Sequence, residues 1–278
     1  MKNILSLLLM LAIVLTSTSC GNDEKDEPVN ITQKDYEIFA GETTTVQGTG
    51  LTDLNWEVAN KFVANIESNA IIQAYKVGWT TIYPKGLSGY ISVVVKPKVT
   101  MYSEPLIRQH CKWVNDQIVV EDWLSQYIWG THKSLMSYLI KEAGIPWTLA
   151  SNQSDIMMYS TENSATPYIG YLFNTDGRMN ATCIYMNPSY ASKLFDFIDE
   201  RFVIYSVDKV NYTADFAHAR IDYNDEVAIN YRGRVGASSS AGYILIMYYA
   251  DIDNARSANT DNLILNRFEQ AILRNSVK

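Results

Sequence analysis

Histidine and cysteine are scarce, with three of each in 278 residues. That scarcity narrows the chemistry open to the chain. Cys111 and Cys183 lie far apart and lack metal-ligand spacing. The histidines are His110, His132 and His218. His110 adjoins Cys111, but adjacent positions on a helix point apart. His218 sits in DFAHARID, a stretch of no clear type, and could meet Cys111 or Asp215 only through folding that the sequence does not specify. There is no G-x-S-x-G elbow, no H-E-x-x-H pair and no phosphate-cradling glycine loop. Lys and Arg form no cluster and are outnumbered by Asp and Glu, 23 to 30, which argues against a nucleic-acid partner.

Long apolar runs are missing too, except at the start. Residues 4–15 are almost wholly apolar, yet fall short of the roughly 20 residues that span a bilayer. Lys2 precedes them, and the small residues Ser17, Thr18 and Ser19 follow, ahead of Cys20. That order is the plan of a secretory signal peptide over residues 1–19. The stretch LTSTSC resembles the lipobox of a bacterial lipoprotein, with serine in place of the usual leucine three residues before the cysteine. The resemblance implies that Cys20 carries covalent lipid such as palmitate. Each buried CH₂ would then contribute about 0.8 kcal/mol of membrane anchoring. Residues 20–29 read as an acidic tether, too polar to fold. An acidic run behind a lipid cysteine also resembles the surface-export signal of Bacteroidetes-type lipoproteins, which implies the outer membrane or cell surface. Losing Lys2 with the leader takes the formal charge from -7 to -8.

Residues 30–97 alternate with period two in short β-branched pieces: YEIFAGETTTVQGTG, LNWEVAN, FVANIE, AIIQAYKVGWTTIYPKG and YISVVVKP. Such spacing predicts a small all-β sandwich. The order A-G-E-T, W-E-V, V-A-N-I and I-I-Q-A-Y-K-V-G-W-T-T-I resembles a bacterial Ig-like domain of the BIG2 type. The resemblance implies a spacer with Trp56 in the core and Gly78 in a turn. Phe62 departs from the family's small polar residue, and packing on a neighbouring domain would account for it.

Residues 99–278 predict an α+β domain with helices packed on antiparallel sheet. Helices are expected over 106–124, over 131–140 with Thr131 or Ser134 as cap, from Pro188, and over 261–273. Asn174, Thr175, Asp176, Gly177 and Arg178 make a hairpin turn. Residues 131–186 and 188–249 could be two copies of one unit, an internal duplication. A helix followed by a hairpin bearing N-T-D-G-R-M resembles the small lipoprotein modules of outer-membrane assembly factors and the β-lactamase-inhibitor fold. That resemblance implies a curved sheet with one face open.

Candidate sites are few. The candidate loop RGRVGASSSAG carries Arg232 and Arg234 side by side on one strand face, and polar loops also flank the first strands at TLASNQSD and STENSATP. Asp251, Asp253 and Asp261 alternate oxygen ligands as a hard cation requires, but the glycine and closing glutamate of a calcium loop are missing. Cys111 and Cys183 could form a disulfide in an exported protein or stay as separate buried thiols. Glu121-Asp122 and Asp199-Glu200 are the obvious carboxylate couples, though sequence neighbours cannot flank a glycoside from both sides. No catalytic residue, metal or diffusible cofactor is assigned. The first reading is a cell-envelope lipoprotein with a structural or binding role, contacting a surface protein or glycan. The second is an exported glycan-directed hydrolase. Metabolic labelling with a palmitate analogue should mark the wild-type chain and leave Cys20→Ala unlabelled.

Overall fold

The turn Asn174–Arg178 is where the sequence speaks most directly, and it organises the largest sheet. Asn174 Oδ1 accepts hydrogen bonds from the backbone N–H of Asp176 (3.0 Å) and Arg178 (2.8 Å), and Gly177 takes φ 71°. The corner is closed by local side-chain bonding and a left-handed glycine. It joins β14 (Tyr168–Phe173) to β15 (Met179–Met186). The computed structural model describes residues 28–52, 54–106, 111–114, 117–120, 129–208, 210, 213–237 and 242–250.

Before this hairpin come β12 (Thr148–Asn152) and β13 (Ile156–Ser160). After it come β16 (Val203–Asp208), β17 (Thr213–Ile221), β18 (Val227–Ala237) and β19 (Ile244–Ala250). The eight strands form one antiparallel sheet in the order β12-β13-β14-β15-β19-β18-β17-β16. Two four-strand meanders meet at the β15–β19 pairing, where Ala181 faces Tyr249 and Met186 faces Ile244.

Each meander is preceded by a helix. Helix α1 (Lys133–Glu142) starts at His132, whose Nδ1 accepts from the Ser134 N–H, so the cap is neither Thr131 nor Ser134. From Pro188 the chain makes a 3-10 helix (Pro188–Lys193) and then α2 (Leu194–Asp199). Met136, Leu139 and Ile140 of α1 and Leu194, Phe197 and Ile198 of α2 share one core with Met157, Tyr171, Ile184, Phe216, Ile246 and Tyr248 of the sheet. Tyr171 is fully buried and its hydroxyl accepts from the Leu106 N–H at 2.9 Å, which satisfies a polar group inside the core.

The N-terminal part consists of β1 (Asn30–Ile31), β2 (Asp35–Phe39), β3 (Thr43–Thr45), β4 (Gly48–Thr49), β5 (Trp56–Val58), β6 (Ala64–Ile66), β7 (Ile71–Ala74), β8 (Gly78–Pro84) and β9 (Ile91–Lys96). These make three open sheets, β1-β4, β3-β7-β6 and β2-β9-β8-β5, with β2 parallel to β9. The expected closed Ig-like sandwich followed by a separate α+β domain is therefore overturned. Five of the nine strands are only two or three residues long. Turns at Gly41, Gly50 and the 67–70 bend stop their ladders before they can close. Trp56 packs at the margin of the shared core rather than at its centre, and Gly78 opens β8, where a side chain would strike Val63 at 2.9 Å.

These sheets are stitched to the large one, giving a single mixed α/β body. The Lys61 N–H donates to the Ile221 carbonyl (2.7 Å) and the Ile221 N–H to Asn60 Oδ1 (3.1 Å). The Val77 N–H donates to the Glu200 carbonyl (2.7 Å), and Phe62 meets the His218 ring edge-on at 5.0 Å. The helix expected over 106–124 is also corrected. Its backbone contains a hairpin of β10 (Cys111–Val114) and β11 (Gln117–Val120), because Ile118, Val119 and Val120 favour extended chain. The helix expected over 261–273 lies outside the described residues. Among the described residues no helix is long and apolar enough to cross a membrane.

Gly233 gives a direct test of this packing. A side chain there would lie 2.1 Å from the Phe216 ring and 2.6 Å from the Met247 carbonyl. Gly233→Ala should cost about 2 kcal/mol or more in a urea melt, since neither neighbour can retreat from the core.

Candidate functional site

Period-two alternation gives the eight-stranded sheet a second face, opposite the helices. Ile156, Met158, Leu172, Ala181, Cys183, Tyr185, Leu245, Met247 and Tyr249 point onto it and form their own buried cluster. Towards β16 the character changes. On β18, Arg232 and Arg234 alternate onto this face, while Tyr231 and Val235 point to the helices.

Arg234 is held by Asp215 of β17 through two bonds, Nε to Oδ1 at 2.6 Å and Nη2 to Oδ2 at 3.1 Å. This forked pair is partly buried and charge-assisted, so it fixes both side chains. The Arg232 guanidinium lies 5.7 Å from the Tyr205 ring centroid, within cation–π range. Tyr205 stands at an irregularity of β16, where the register shifts between Ile204 and Ser206. Such a bulge re-aims a side chain at a sheet edge. Tyr205 remains 51% exposed, and nearby Val203 47%. Arg232, Tyr205 and Val203 thus make a half-exposed patch of cation, aromatic and aliphatic groups on a rigid edge.

The other candidates are not drawn into chemistry by the described residues. His218 stacks on Tyr231, ring centroids 4.9 Å apart and planes 1° apart, with Nδ1 3.0 Å from Asn230 Nδ2. Asp215 lies on the same strand but on the opposite face, so the two do not meet. Asp199 binds Lys76 and is largely exposed. Glu200 is not solvated as its neighbour is: it accepts from the N–H groups of Lys98 and Val99 and lies 3.4 Å from Arg201. Both carboxylates line a wide groove of about 550 Å³ with Lys98, Lys193 and Asp196, in which each acid already has a basic partner. Among the described residues no group of three His, Cys, Asp or Glu side chains could hold a metal ion.

Among the described residues Cys183 is a free buried thiol. Burial pushes its pKa well above the usual value, so it stays protonated and a poor nucleophile. The same desolvation raises the Tyr185 hydroxyl beside it. Cys20, His110, Glu121-Asp122, Asp251, Asp253 and Asp261 lie outside the described residues. TLASNQSD is mostly the edge strand β12, and Arg232–Ala237 of RGRVGASSSAG continues β18.

Sequence reasoning placed Arg232 and Arg234 together, and the structure does so. It missed Tyr205 as the partner of one and Asp215 as the partner of the other. Cross-strand register carries both pairings, and the only hint was the apolar alternation of VIYSV. No family model and no curated protein matches the chain.

Asp215→Ala should destabilise the chain by about 2 kcal/mol in chemical denaturation, because it strands the Arg234 guanidinium in a partly buried place. Tyr205→Ala should change stability by less than about 1 kcal/mol in the same experiment.

Proposed function

We propose that this chain is a cell-envelope lipoprotein, anchored through Cys20 at the outer membrane or cell surface, that makes a protein or glycan contact with the β16–β18 end of its large sheet. The leader, the small residues before Cys20 and the acidic run behind it support export and lipidation. A ten-residue tether reaches about 35 Å when extended, enough to hold the folded part clear of lipid headgroups.

One observation carries the contact role. Tyr205 and Val203 are large apolar side chains left half in water, beside a guanidinium, on a strand whose neighbours are locked in place. Rigid aromatics and arginine supply most of the binding energy where proteins meet partners, because little side-chain entropy is lost. Stacking on a tyrosine face also suits a sugar ring.

The test uses the chain from residue 21, probed on a glycan array and by crosslinking on the surface of the native host. Tyr205→Ala with Arg232→Ala should weaken the contact by roughly tenfold or more while leaving the thermal melt in place. Undiminished contact by the double variant, or turnover of an arrayed glycan, would overturn the reading.

A further inference from the structure

The sheet β2-β9-β8-β5 has an outward face as well as an inward one. Tyr36, Ile38, Ile82, Ile91, Val93 and Val95 turn inward to the N-terminal core. Alternation and register then turn Trp79 and Tyr83 of β8, Val94 of β9 and the adjoining Tyr90 outward, where polar residues are usual. Tyr83 is 43% exposed, and its ring centroid lies 6.5 Å from that of Tyr90. Phe39 of β2, opposite Lys96 and 46% exposed, extends the apolar line at its Trp79 end. Thr81 and Ser92 face each other in the middle of this surface, and both are buried. The Trp79 Nε1–H donates to Ser92 Oγ at 3.1 Å. That bond draws the indole across the sheet towards the two hydroxyls and uses its one polar group. What the partly exposed indole has left to offer is its apolar ring.

We propose that this face is a platform for an uncharged polysaccharide, separate from the contact at Tyr205 and Arg232. Two features select that occupant. The first is the shape of the floor. Its rings are spread along the sheet: Trp79 and Tyr83 stand four residues apart on one strand, about 13 Å. A pyranose has an apolar C–H face and hydroxyls around its edge, so it stacks on an aromatic ring while its edge stays wet. A floor of this length seats more than one sugar, which suits a chain better than a single residue.

The second feature is charge. Glu37 and Glu57 stand on β2 and β5, the strands flanking the floor, and each is paired with a lysine, Glu37 with Lys96 and Glu57 with Lys85 at 3.4 Å. Asp35 adds one more outward carboxylate on β2. The margins thus carry acceptors for sugar hydroxyls and no excess of positive charge to hold a phosphate or uronate polymer. A protein partner broad enough to cover the floor would desolvate these ion pairs at a cost, whereas a polysaccharide chain leaves them in water at its edge. The platform uses only β2, β5, β8, β9 and the adjoining Tyr90, so it stands independently of lipid at Cys20 and of any contact made by β16.

Affinity electrophoresis tests the proposal with the full chain, in gels containing soluble β-glucan, galactomannan, α-mannan or dextran and in a comparison gel of polygalacturonate. At least one neutral polysaccharide should retard the chain. Tyr83→Ala should weaken that retardation roughly fivefold or more while keeping the wild-type melt, because the side chain is half in water. Trp79→Ala, which also uncovers Ser92, should weaken it further. Tyr205→Ala with Arg232→Ala should be retarded as the wild type is, which separates this site from the contact at β16. No retardation in any neutral gel, retardation by polygalacturonate alone, or undiminished retardation of Tyr83→Ala and Trp79→Ala would overturn the proposal. Retardation lost in the Tyr205 and Arg232 double variant but kept in Tyr83→Ala would overturn it too, and would assign glycan binding to the other patch.

Discussion

A buried guanidinium holds the two parts of this molecule together. Arg201 is 1% exposed and follows directly on α2 and Glu200. Burying a charge costs several kcal/mol unless its hydrogen-bonding groups are met. Here all five N–H donors have partners: Nε and Nη2 reach Glu104 at 3.0 and 2.8 Å, Nη2 the Val99 carbonyl at 2.9 Å, and Nη1 the Phe197 carbonyl at 3.2 Å and Glu200 at 3.4 Å. The guanidinium also lies over the Phe197 ring, 4.1 Å from its centroid. Glu200 meanwhile receives the N–H groups of Lys98 and Val99. One cation and two carboxylates thereby fix the segment leaving β9 against the helix that begins the second meander. Direct bonds from Lys61 to Ile221 and from Val77 to Glu200 complete the joint with the N-terminal sheets.

This explains why the sequence suggested two domains and the structure has one body. Composition and period showed a β-rich stretch ending near Lys96 and a mixed stretch beyond it. What joins them is a set of backbone bonds and one ion cluster whose members are 97 to 102 residues apart. Long-range partners of this kind leave no local pattern. Phe62 was the exception. Its size, out of place in the resemblance, pointed to a neighbour, and it packs on His218.

Other elements were legible in proportion to their one-sidedness. The 174–178 turn and α1 carry strong local signals, a left-handed glycine in one and an apolar stripe in the other. β12 was read as a polar loop because an edge strand exposed on both sides shows no alternation. β18 was read as partly loop because arginine and glycine alternate where apolar residues were awaited. The glycine is there to admit the Phe216 ring, and the arginines face away from the core. β17 hid because an irregularity between His218 and Ala219 shifts its period midway. The candidate patch inherits the same limits. Its arginines were visible as residues, whereas the tyrosine and aspartate that give them meaning were visible only as register.

The pairing of β15 with β19 has a consequence for how the chain is made. Ala181 and Tyr249 face each other across 67 residues of intervening sequence, and β19 is the last strand of the sheet to be synthesised. Until it emerges, β15 has a partner on one edge only, and the second meander has no first meander to join. The loop closure involved is long, and sheets dominated by such contacts form slowly. The sheet is completed only when nearly the whole chain is available. A chain built this way leaves its largest sheet unlocked until the strand ending at Ala250 has been made.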